Sequence, residues 1–137
     1  MTDHQLPRTL EVDVTAERLE DALAAALEAI VAAAQGEGLI AERGSLSIPF
    51  KGEGVDVPEL LIELTASLLE AIESQQEAVS AVLVAGVLTT ERGYTAWGFA
   101  TVARGTPVAL RRVDLSAPIL VYRHGLRVEI NTTAVVG

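Results

Sequence analysis

Residues 45–74, SLSIPFKGEGVDVPELLIELTASLLEAIES, read as strand, turn and helix, and the rest of the chain is organised around them. Leu46, Ile48 and Phe50 alternate with Ser45, Ser47, Pro49 and Lys51, the period of a half-buried strand. Gly52-Glu53-Gly54 is expected to break that strand. Asp56-Val57-Pro58-Glu59 then opens a helix: Asp56 can accept from the first free amides, Glu59 can reach back, and Pro58 sits where its missing N–H costs nothing. Leu61, Leu64, Leu68 and Ile72 recur at three- and four-residue steps, with Glu59, Glu63, Glu70 and Glu73 on the opposite side. The helix has an apolar face for a core and an acidic face for water or a partner.

Outward from this unit, the chain repeats the scheme. On the N-terminal side, residues 9–15 alternate, with Leu10, Val12 and Val14 on one face and Glu11 and Asp13 on the other. Thr15 is the expected N-cap of a first helix, striped by Leu19, Leu23, Leu27, Ile30 and Val31 and stopped by Gly36. Residues 36–44 read as a connector. Residues 22–30 (ALAAALEAI) and 64–72 (LTASLLEAI) echo each other, which supports two strand–helix units. After residue 74 the chain turns to strand chemistry. Residues 79–90 and 94–102 flank the turn Glu91-Arg92-Gly93, residues 103–107 read as a break, and shorter strands follow at 108–113, 119–122 and 126–130. Gly125 is placed as a bulge or bend. Asn131 is expected to turn the chain into a last strand at 134–136, whose edge could pair with another subunit. The sum is a single α+β domain over residues 1–137. Two helices cover one face of a mostly antiparallel sheet of about six strands, a two-layer sandwich.

The totals narrow the function classes. Half of the 137 residues are apolar, and only 4% are aromatic, so the core must be built from Ala, Val, Leu and Ile. A net charge of −9 argues against direct binding to a nucleic-acid backbone, since repulsion acts over about a Debye length, ~8 Å. With no cysteine there is no disulfide, thiolate nucleophile or cysteine metal site. The N-terminus lacks a signal-peptide pattern, and no apolar run approaches the ~20 residues of a membrane span. A soluble cytoplasmic protein is expected. No G-x-S-x-G, P-loop or dinucleotide fingerprint occurs and no nucleophile–base pair is legible, so the chain is not expected to be an enzyme.

The order and spacing of four segments resemble the archease family, over residues 8–130. Leu19-Glu20-Asp21-Ala22-Leu23 matches the family's L-E-E-A-F. Asp56, Pro58-Glu59-Leu60-Leu61 and Leu68-Leu69 are similar to its second helix. Ala96-Trp97-Gly98 matches its A-W-G, and residues 124–129 (HGLRVE) resemble its H-G-L-x-V-E, with Tyr122 displaced by one place. The resemblance implies a small accessory protein that promotes guanylylation and turnover of a tRNA-splicing RNA ligase. It also implies a divalent metal, calcium by resemblance, held by acidic residues of the N-terminal strand and the C-terminus. In this chain the family's aspartate falls at Thr9 and its histidine at Leu6, and the chain ends Val135-Val136-Gly137 where the family has an acid. Leu64 stands for its tryptophan, Phe99 for a glutamate and Ile119 for a lysine. A hard cation needs several oxygen ligands, so the metal set is left open, with Glu11 and Asp13 as candidates to complete it. The alternative is a divergent member with a lost metal site, acting as a non-catalytic interaction or chaperone-like module.

Each candidate has a plainer reading beside it. Glu11 and Asp13 also suit a solvated strand face, and that is the stronger reading. Glu59, Glu63, Glu70 and Glu73 can form a face for a cation or a basic partner, but a solvated helix face is again the stronger reading. His124 joins the partner-binding set through the resemblance, against an ordinary surface histidine. Trp97 is expected to anchor the core. Arg111, Arg112, Arg123 and Arg127 either orient docking on a charged partner or pair across strands with Glu129 and Asp114.

Overall fold

A computed structural model describes residues 8–36, 46–115 and 118–133. The order of elements is β1 (Arg8–Thr15), α1 (Leu19–Gln35), β2 (Leu46–Gly54), α2 (Val57–Gln75), β3 (Glu77–Thr90), β4 (Gly93–Pro107), β5 (Arg112–Asp114), β6 (Leu120–Tyr122) and β7 (Gly125–Thr133). The fold is α+β, and every strand pairing is antiparallel. The strands form two sheets. In one, β7 lies between β1 and the short strands β5 and β6; in the other, the order is β2-β4-β3. α2 packs on β2 and β4, while α1 packs on β1 and β7 and also on β3, so α1 ties the sheets together.

One continuous apolar cluster joins the two helices and both sheets. Leu23, Leu27, Ile30, Leu60, Leu61, Leu64, Leu68 and Ile72 are fully buried in it, together with Leu126 and Ile130 of β7. Both helical stripes read from the sequence are therefore core faces. α2 begins as its sequence dictates. The Asp56 carboxylate accepts from the Glu59 amide at 2.9 Å, Pro58 lies in the first turn, and Glu59 Oε2 accepts from the Val55 amide at 3.4 Å. Gly36 closes α1 in the left-handed region (φ 82°), and its amide donates to the Ala32 carbonyl at 3.0 Å.

Several expected boundaries move. Thr15 does not cap α1, because it remains in β1 opposite Gly125; the N-cap is Arg18, which makes no side-chain cap bond. Gly125 accordingly opens β7 and is not a bulge. Gly52-Glu53-Gly54 continues β2, opposite Ala96, Thr95 and Tyr94 of β4. The glycines are there because α2 crosses at contact distance: a Cβ at Gly54 would clash with the Leu60 amide nitrogen and lie 2.8 Å from its Cα. Residues 103–107 prolong β4, which still pairs with β3 at Glu77 and Pro107 through register shifts in β3. Asn131 stays in β7, held opposite Thr9 by a 2.8 Å bond from Thr9 Oγ1. Most of the expected connector at 36–44 and the strand at 134–136 lie outside the described residues.

Trp97 does not anchor the core. It is 38% exposed, on the face of β4 away from the helices. Alternation turns Ala96, Gly98 and Ala100 inward, where small residues leave room for Phe50, whose Cζ would lie 2.9 Å from a Cβ at Gly98. The opposite parity sends Trp97 and Phe99 outward.

Candidate functional site

Where the end of β2, the first turns of α2 and the β3–β4 turn meet, they enclose an open cleft of about 710 Å³. Gly52 and Gly54 lie along it because no side chain fits between β2 and α2 there. The charged side chains around it are Glu53, Glu59 and Glu63 against Lys51 and Arg92, with Tyr94 beside them. Among the described residues none of these five is in an ion pair. The cleft therefore holds three carboxylates and two cations, with Glu59 also accepting from the Val55 amide.

The amide end of α2 opens beside this cleft, and elsewhere such an end would attract a phosphate. Here the chain's own carboxylates fill the position, Asp56 on the Glu59 amide and Glu59 on the Val55 amide. A further anion would meet negative charge. The cleft is suited instead to a cationic group held by Glu59 and Glu63 of α2, with Glu53 at its rim on the outward parity of β2.

Of the sequence-derived partner-binding set, the structure brings Glu59 and Glu63 together. Glu70 is exposed farther along α2, outside the cleft, and His124 lies in the β6–β7 turn of the other sheet. The carbonyl of His124 accepts from the Ala16 amide at 2.9 Å, so its main chain secures the approach to α1. Glu53, Arg92 and Tyr94 were not singled out from the sequence. Glu53 had a legible signal: it is the outward residue between two glycines of a strand that leads into a capped helix.

The metal candidates have a different occupant. Arg127 Nε donates to Asp13 Oδ1 at 2.8 Å and Nη2 donates to Asp13 Oδ2 at 3.1 Å, while Nε lies 3.5 Å from Glu11 Oε1. Through these hydrogen bonds first, Arg127 holds the Asp13 carboxyl below the usual carboxylate range. Thr9, the position at which the sequence resemblance looks for an aspartate, bonds Asn131. Among the described residues, no three His, Asp or Glu side chains converge to hold a metal ion.

The arginines separate. Arg127 does pair across strands, but with Asp13 and Glu11 of β1 and not with Glu129, because β1 faces β7 in that register. Arg111 closes α1: its amide donates to the Ala34 carbonyl at 2.7 Å, and its guanidinium packs against Gly36, at the negative end of the helix dipole. Arg112 and Arg123 are exposed.

No family model, curated protein or solved structure matches the chain. Among the described residues, no helix is long and apolar enough to cross a membrane.

Proposed function

We propose that this chain is a non-catalytic interaction protein whose β2–α2 cleft receives a basic segment of a partner protein. The observation that carries this reading is the cleft itself, with Glu53, Glu59 and Glu63 around a glycine-lined groove and without ion-pair partners among the described residues. The partner class comes from the sequence resemblance: a tRNA-splicing RNA ligase, whose guanylylation and turnover an archease-like accessory protein would promote. The Asp13–Arg127 pair favours the divergent form of that reading, in which docking persists and the calcium site does not. A hard cation at Asp13 would have to displace a two-bonded guanidinium.

The test is to mix the chain with such a ligase, guanosine triphosphate and divalent metal, and to follow guanylylation and repeated turnover. Acceleration that is lost in the Glu53→Lys/Glu63→Lys double variant supports docking through the cleft. A ligase that behaves the same with and without the chain removes the ligase from the reading. Binding to the ligase without acceleration leaves the interaction module alone.

A further inference from the structure

The two sheets differ on the faces that the helices leave open. On the β1–β7 pair the outward residues are polar or charged, among them Thr9, Glu11, Asp13, Arg127 and Asn131. The outward face of β2-β4-β3 instead carries large apolar side chains on β3 and β4. Leu83 is 59% exposed, Leu88 57%, Phe99 42% and Trp97 38%, and the strand register sets Pro49, Phe99 and Leu83 in one row. On the outward parity of rows 47–53, 81–88 and 95–101, the only charged residues are Lys51 and Glu53, of opposite sign. An antiparallel sheet ordinarily turns polar residues to water on its open face, so this face departs from the rule.

Trp97 is held in place on it. The indole lies over Gly86, its cross-strand partner: a Cβ there would clash with the ring and lie 2.8 Å from Cη2. An aromatic fixed in this way loses little freedom when it is covered, the property of an interface anchor.

We infer that this face is a self-association surface, covered in solution by the same face of a second copy of this chain. Three arguments favour a second copy. The first is shape. Trp97 and Phe99 stand two residues apart on the central strand, so a two-fold axis crossing β4 at Gly98 lays Trp97 of each copy on Phe99 of the other. The axis sets aromatic against aromatic within one patch, the arrangement of a two-fold interface, and the product is two sheets stacked at about 10 Å with helices outside. The second is charge. Each copy carries −9, yet the outward residues of β3 and β4 on this face carry no charge, so like-charged molecules meet there with the least repulsion. The third is area. Three strands at ~4.8 Å spacing and ~30 Å length project to about 430 Å² per copy. Two such faces make about 860 Å² before side-chain relief is added, at the low end of specific contacts, where weak and reversible dimers lie.

The experiment is a dilution series on the full chain, followed by sedimentation equilibrium and by the fluorescence of Trp97, the one tryptophan. The expected result is a doubled mass at high micromolar concentration. The Trp97 emission shifts to the blue over the same range, and added salt strengthens association by screening the net charge. Leu83→Lys and Phe99→Glu, each checked for native circular dichroism, are expected to weaken it at least ~10-fold. Leu83 is the more exposed of the two, so its variant carries the test if Phe99→Glu fails to fold. A monomer at every concentration overturns the inference. So does a doubled mass with unchanged Trp97 emission, or one that survives Leu83→Lys, because the contact then lies elsewhere.

Discussion

Arg127 grips Asp13 with two hydrogen bonds across the β1–β7 pair, 2.8 and 3.1 Å long, and it comes within 3.5 Å of Glu11. This one guanidinium is the ion-pair partner of both acids of β1. It also serves a local need. Glu11 stands directly opposite Glu129, a like-charge pair that would weaken the ladder, and Arg127 places a cation diagonal to it.

The grip makes a pH prediction. Because Arg127 depresses the Asp13 pKa in the folded state, the contribution of the pair to stability is present above the unfolded aspartate value. It is lost as pH falls through the lowered folded value. Stability should therefore be flat in this respect near neutrality and decline only on the acid side. In a carbon-detected NMR titration the Asp13 carboxyl midpoint lies below the ordinary 3.8 in the native chain and returns towards it in Arg127→Gln. An unchanged midpoint in the variant would show that the pair does not set it.

The same geometry bears on calcium. Millimolar calcium is expected to leave the Asp13 carboxyl resonance of the native chain where it is. A saturable shift in stoichiometric proportion would show that the cation displaces Arg127, and the metal-dependent form of the function would then be the better one.

Gly54 tests the contact between β2 and α2. Gly54→Ala drives a methyl group into the Leu60 main chain and should cost about 1–3 kcal/mol as overpacking, measured by urea denaturation. Gly52→Ala meets Leu64 N at 3.0 Å and Glu63 Cβ at 3.2 Å, so its cost should be smaller. Equal stability of Gly54→Ala and the native chain would mean that α2 does not sit this close.

Asp56→Ala removes the side-chain acceptor at the start of α2 and should cost ~1 kcal/mol, with Asp56→Asn retaining most of the stability.

The sequence made the helices legible because their signals are local. Asp56, Pro58 and the stripe from Leu61 to Ile72 need no tertiary knowledge, and Gly36 ends α1 for a reason of backbone geometry alone. The misread places are those where a distant element decides. Gly52 and Gly54 look like a turn until α2 is seen to cross them. Trp97 looks like core because large aromatics are often buried, yet Phe50 and the helices take the inward side and leave it the other. Thr15 looks like a cap until β7 claims it. Of the candidate site, Glu59 and Glu63 were readable from helical spacing. Arg92 and Tyr94 were not, since only the β3–β4 turn brings them to the cleft. Nor could spacing show that Arg127, 114 residues away, would occupy Asp13.

The central claim is that Glu53 and Glu63 serve a partner and not the fold. Both are exposed and free of ion pairs among the described residues, so Glu53→Lys/Glu63→Lys should change unfolding free energy by no more than ~0.5 kcal/mol per site. The most direct test is calorimetric titration of a tRNA-splicing RNA ligase with the native chain and with this double variant. The account predicts saturable binding by the native chain and at least ~10-fold weaker binding by the variant at equal stability. Equal affinity of the two for the ligase would contradict it.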